Sequence, residues 1–248
     1  MLWYKAWLET RARFLTCFAT VVIFCTVFVH HALHVVCAES LSCSAGLWDP
    51  ARQAEVYRLL FINQQFLVFM WILSVVLLGM GGIVREGAIG TAAPTLALPV
   101  SRARLQGVRV GMGVLQAIAL AVVPWLSVAS VSILAGRPIL MRQVASYILL
   151  LVAGGMVYFA MSILISSLIP GEYTAPAVAF GIVILAAILF DEYLRGLNVW
   201  RLVTGDFSVD HTTYLLSRHL PWLGILASLT CALLMFFASI LAVQRREF

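Results

Sequence analysis

Residues 143–171 read QVASYILLLVAGGMVYFAMSILISSLIPG, with no Asp, Glu, Lys or Arg in the run. A helix that crosses the hydrocarbon core of a bilayer needs about 20 apolar residues, within a range of about 17–25. This run meets that length and leaves room for tilt. Unpartnered backbone groups are too costly in lipid, so a crossing segment must satisfy its own hydrogen bonds as a helix. The strict alternation of a membrane β-strand is missing.

Residues 14–36, 59–84, 110–136, 173–190 and 219–244 are equally free of charged side chains. Over the whole chain hydrophobic residues make up 62% and charged residues 11%, against roughly 25% charged in a soluble domain. Too little charge remains to cover a water-exposed surface. The pattern predicts an all-α polytopic membrane protein, one transmembrane domain over 1–248, with six transmembrane helices at 14–36, 59–84, 107–135, 143–169, 174–190 and 222–243.

Outward from these runs, residues 1–13 place Trp3 and Trp7 on one helical face, with Lys5, Glu9 and Arg13 at i,i+4 spacing. An aromatic face with charges opposite predicts an N-terminal interfacial amphipathic helix. Residues 191–220 mix Leu194, Leu197, Trp200, Leu202 and Val203 with Arg195 and Arg201, which predicts an outer interfacial or re-entrant segment. Pro124 predicts a kink in the third span.

An even number of spans puts both termini on one side. With both cytoplasmic, the inner face holds Lys5, Arg11, Arg13, Arg85, Arg102, Arg104, Arg109, Arg245 and Arg246. The outer face then holds Arg52, Arg58, Arg137, Arg142, Arg195, Arg201 and Arg218, and the excess of inner cations sets the orientation. The net charge of +5 lies at membrane edges, where anionic headgroups attract it, so it points to the lipid bilayer and to no nucleic acid.

Much chemistry is excluded. A phosphate loop of the GxxxxGK[ST] type cannot be built when the only lysine is Lys5, and the metalloprotease and nucleophile-elbow motifs are absent. No span interior holds a carboxylate, which argues against a proton-driven carrier. His30, His34 and Cys37 share a helical face and could ligate a metal, but no fourth ligand lies near, which favours reading them as polar residues where the first helix leaves the membrane, and no metal site is assigned. Cys37 and Cys43 could form a disulfide or remain free thiols, and Cys17, Cys25 and Cys231 lie in spans as packing groups. Asn63, Gln64 and Gln65, with Phe66 beside them, need partners in lipid. They predict either an interhelical hydrogen-bond cluster or part of a substrate path.

The longest inner connection, residues 85–109, contains Arg85-Glu86-Gly87-Ala88-Ile89-Gly90-Thr91 and then Leu96-Ala97-Leu98-Pro99-Val100-Ser101-Arg102. Together with the amphipathic start, the six spans and the Arg245-Arg246-Glu247-Phe248 end, this resembles the permeases of type-2 ABC exporters, the type V exporter fold. The resemblance implies a non-enzymatic permease subunit in the bacterial cytoplasmic membrane. It implies a homodimer, or a heterodimer with a sibling permease, and separate ABC ATPase subunits that bind the ATP; no cofactor sits on this chain. It further implies a coupling segment at 86–100 that docks on the ATPase, with Arg85, Glu86, Gly87, Gly90, Thr91, Leu98, Pro99, Ser101 and Arg102 at the contact. Two other readings are a membrane enzyme or metal-related assembly factor built on His30, His34 and Cys37, and a structural membrane scaffold.

Overall fold

The computed structural model describes residues 2–38, 50–80, 101–134, 141–169, 174–193, 198–210, 215–216 and 220–245. The fold is helical. It comprises α1 (Leu2–Ala38), α2 (Pro50–Gly79), α3 (Arg102–Leu134), α4 (Met141–Leu168), α5 (Thr174–Tyr193), the short α6 (Val199–Thr204) and α7 (Trp222–Arg245). Between α6 and α7 two residue pairs, β1 (Val209–Asp210) and β2 (Leu215–Leu216), make a minimal antiparallel ladder.

Among the described residues, four helical stretches are long and apolar enough to cross a membrane: Leu2–Phe28, Arg102–Leu126, Met141–Leu168 and Trp222–Arg245. Gln64–Gly79 and Thr174–Ala186 are apolar but shorter. The protein is therefore a membrane-embedded helical bundle.

Two expected features take a different form. No break separates residues 1–13 from the first span, because α1 is one helix of 37 residues. At 1.5 Å per residue it is about 55 Å long, well beyond a hydrocarbon core of about 30 Å. Pro124 lies inside α3, which runs on to Leu134. The fourth run is not a uniform α-helix: Leu150–Gly154 forms a π turn, a local widening that in membrane helices is stabilised by neighbours.

Lipid is as apolar as leucine, so helices in a bilayer associate through close packing and hydrogen bonds rather than through hydrophobic transfer. The centre of the bundle follows that rule. Trp71 of α2 is fully buried, and its indole Nε1 donates to the carbonyl of Ala117 in α3 at 3.1 Å. The ring occupies the space a Cβ on Gly155 of α4 would take, and Phe159 does the same at Gly113 of α3. Gly79 meets Ser162, whose hydroxyl donates to the Val76 carbonyl at 2.7 Å. α1 lies against α3 and α2, while α4 lies against α2 and α7.

Candidate functional site

Polar groups gather at two levels of the bundle. The first is built around α6. Asn198 caps that helix, its Oδ1 accepting from the Trp200 backbone N–H at 2.9 Å. Gly205 ends it in the left-handed region at φ 79°, a conformation that glycine adopts without steric cost. The Thr204 carbonyl is thereby left at a helix end, where it needs a donor. Gln64 of α2 supplies one, its Nε2 donating at 2.9 Å. Trp200 Nε1 donates to Gln65 Oε1 at 3.4 Å, and its ring meets Phe69 edge-on at 6.4 Å between centroids.

Gln143 of α4 completes this level. It donates through Nε2 to the Leu216 carbonyl at 3.2 Å and accepts from the Leu216 N–H at 3.0 Å. One side-chain amide thus imitates a strand neighbour for β2. Four residues on, Tyr147 stacks on Trp125 with ring centroids 4.8 Å apart and 2° between planes.

The second level clasps the start of α1 to α3. Glu9 lies between Arg109 at 2.8 Å and Lys5 at 3.6 Å. Thr10 donates to the Ala6 carbonyl at 2.9 Å and accepts from Gln116 Nε2 at 2.7 Å. Trp3 lies over Gly111, where a Cβ would come 2.8 Å from the indole Cη2. Lys5 and Glu9 pair as their spacing predicts. Arg13 reaches elsewhere: its Nη1 donates to the Met80 carbonyl just beyond α2. That carbonyl follows a helix terminus and so lacks an intrahelical partner.

Of the expected substrate-path residues, Gln64 is 2% exposed and Gln65 is half-buried. Phe66 is 53% exposed, with its ring 6.5 Å from that of Phe24. The Asn63 side chain lies outside what is described. So do Arg85, Glu86, Gly87, Gly90, Thr91, Leu98 and Pro99 of the coupling segment. Ser101 and Arg102 are described: Ser101 caps α3, its Oγ accepting from the Arg104 N–H at 3.4 Å, and Arg102 is the first residue of that helix. His30 is exposed; the side chains of His34 and Cys37, and Cys43 altogether, lie outside the described residues. Among the described residues no three His, Cys, Asp or Glu converge as a metal site.

Sequence reasoning passes over Gln116, Gln143 and Ser228, each a polar residue within an apolar run. Their isolation in such runs is a usable signal, because a polar side chain in lipid must find a partner. The partners themselves are 73 to 106 positions away and carry no local mark. Compared with known proteins, the chain matches no protein-family model and no curated protein.

Proposed function

We propose that the chain is the membrane-spanning permease subunit of an ATP-driven exporter, with six spans and both termini on the cytoplasmic side of a bacterial membrane. Two copies, or one copy and a sibling, form the substrate path and couple to separate ABC ATPase subunits. The observation that carries this reading is the clasp at the ends of α2 and α3. The connection 81–100 leaves α2 at Met80 and enters α3 at Arg102. α1 bonds the carbonyl that follows α2, through Arg13 on Met80, and contacts the first half of α3 through Glu9, Thr10 and Trp3 on Arg109, Gln116 and Gly111.

A partner that pushes on this connection therefore moves three helices as one body. These residues hold one lysine and no phosphate loop, and in this reading the push comes from an ABC ATPase subunit. In this reading the substrate path runs beside Gln65 and Phe66, next to the level where Gln64 and Gln65 bond to α6.

The test is affinity purification of the full chain from its native membrane in mild detergent. A co-purifying subunit that carries a phosphate loop, and MgATP turnover that tracks it, are the expected results. The chain recovered without any nucleotide-binding subunit, under conditions that keep other membrane complexes intact, would overturn the reading.

A further inference from the structure

A cleft of about 780 Å³ opens between α4, α6 and the first half of α7. Leu223, Ala227 and Cys231 form its α7 wall at i, i+4 and i+8 spacing, and all are exposed. Leu202 of α6, Val157 of α4 and Phe207 also line it.

The surface of the cleft is mainly apolar. Ser228 lies in the lining, but its hydroxyl is turned onto the Gly154 carbonyl of the π turn at 2.6 Å. Asn198 is also there, with its Oδ1 engaged by the Trp200 N–H. The π turn itself backs the cleft, since a Cβ on Gly154 would meet Leu202 at 3.3 Å. π turns are frequent at functional sites. Glycine at position 224 completes the fit, as a Cβ there would come 3.1 Å from Leu202.

We infer that this cleft seats one acyl chain of a bilayer phospholipid, entering sideways from the membrane with its headgroup left at the Trp222 end. Three observations favour that occupant. α7 is one of the helices long and apolar enough to span. Its exposed face continues from Leu223 through Leu226, Leu233 and Phe237 without a charge, so the cleft wall is continuous with a surface that meets acyl chains. The Ser228 hydroxyl proton and the Asn198 Oδ1 are engaged inside the protein and most of the lining is apolar, so a methylene chain, which has no polar group to satisfy, suits the cleft better than a polar occupant. The volume falls within the range of small-molecule sites, about 300–1,000 Å³. The inference rests on membrane embedding and not on the exporter reading, so each can fail alone.

The experiment uses the full chain in phosphatidylcholine vesicles doped with a phosphatidylcholine that carries a diazirine midway along one acyl chain. After irradiation, adducts are mapped by peptide mass. Counted per exposed residue, adducts at residues 222–231 should exceed those at residues 232–241 about tenfold, a preference of about 1.4 kcal/mol. Ala227→Trp, and independently Cys231→Phe, should remove that excess, while Leu233→Trp should leave it intact. Even labelling along α7 would mean ordinary annular lipid and would overturn the inference. So would an excess that survives both filling variants. Weaker labelling at the cleft than below it would overturn it as well, and would point to a second copy covering this face.

Discussion

Trp71 and Gly155 are a matched pair: the indole ring of one fills the volume that a side chain on the other would need. Trp71 has no exposure and is tied to Ala117, so the ring cannot swing away without losing that bond. Gly155→Ala should therefore destabilise the protein by about 1–3 kcal/mol, the usual cost of overpacking. Trp71→Phe should cost stability alone but should reduce the further loss caused by Gly155→Ala. Thermal unfolding in one detergent, run as a double-mutant cycle, measures this. Strict additivity of the two changes would show that the ring and the glycine do not constrain each other.

The π turn of α4 has a carbonyl that Ser228 satisfies from α7. Ser228→Ala removes the donor and leaves Gly154 with a buried, weakened acceptor. The expected loss is about 0.6 kcal/mol and at most about 1.7, the range found for interhelical hydrogen bonds in membranes. Ser228→Thr should retain most of the bond. An alanine variant as stable as the parent would mean that the carbonyl finds another donor.

Gly205 should be the least replaceable residue of the α6 turn. Its φ of 79° disfavours any other residue, and a Cβ would also sit 3.1 Å from Leu216 and 3.3 Å from Tyr147. Gly205→Ala should cost about 1–3 kcal/mol, combining strain with crowding. Gly205→Asn relieves only the backbone part and should fall between glycine and alanine. Protease cleavage of the segment at residues 198–216 should accelerate in the same order. Asparagine behaving as poorly as alanine would assign the whole cost to crowding.

The membrane bundle is legible because charge-free runs are a solvent argument: lipid excludes charge, and the run lengths follow from bilayer thickness. α6 at Val199–Thr204 falls inside the stretch 191–220 whose mixed composition marked it as something other than a solvated loop. What the sequence hides is contact at a distance. The i,i+4 rule pairs Glu9 with Lys5 correctly. It also offers Arg13 to Glu9, whereas Arg13 bonds the Met80 carbonyl 67 positions away. Glu9 is already occupied by Arg109 and Lys5, whereas the carbonyl after α2 lacks an intrahelical donor, and no local rule names which helix end will be near. Likewise Gln64 is marked as needing a partner, but that the partner is the Thr204 carbonyl depends on where Gly205 turns the chain.

The Glu9–Arg109 pair separates local from distant charge in a measurable way. Both side chains are partly exposed, at 29% and 21%, so their coupling should be modest, about 0.2–1 kcal/mol. Glu9→Arg does more than delete the pair, because it sets a cation beside Lys5, Arg13 and Arg109 together. The charge swap Glu9→Arg with Arg109→Glu restores an attraction across α1 and α3 but leaves the new cation next to Lys5, which lies 3.6 Å from Glu9 in the native chain. The expected order of stability is therefore native, then swap, then Glu9→Arg alone. Raising the salt from about 0.1 M to 1 M shortens the screening length from about 10 Å to about 3 Å and should compress all three toward one another. Unfolding of the detergent-solubilised chain at both salt concentrations provides the check. A swap as stable as the native protein would show that Lys5 contributes nothing to the position of Glu9. A swap no better than Glu9→Arg would show that the α1–α3 clasp is held by Thr10, Gln116 and Trp3, with the charges only decorating it.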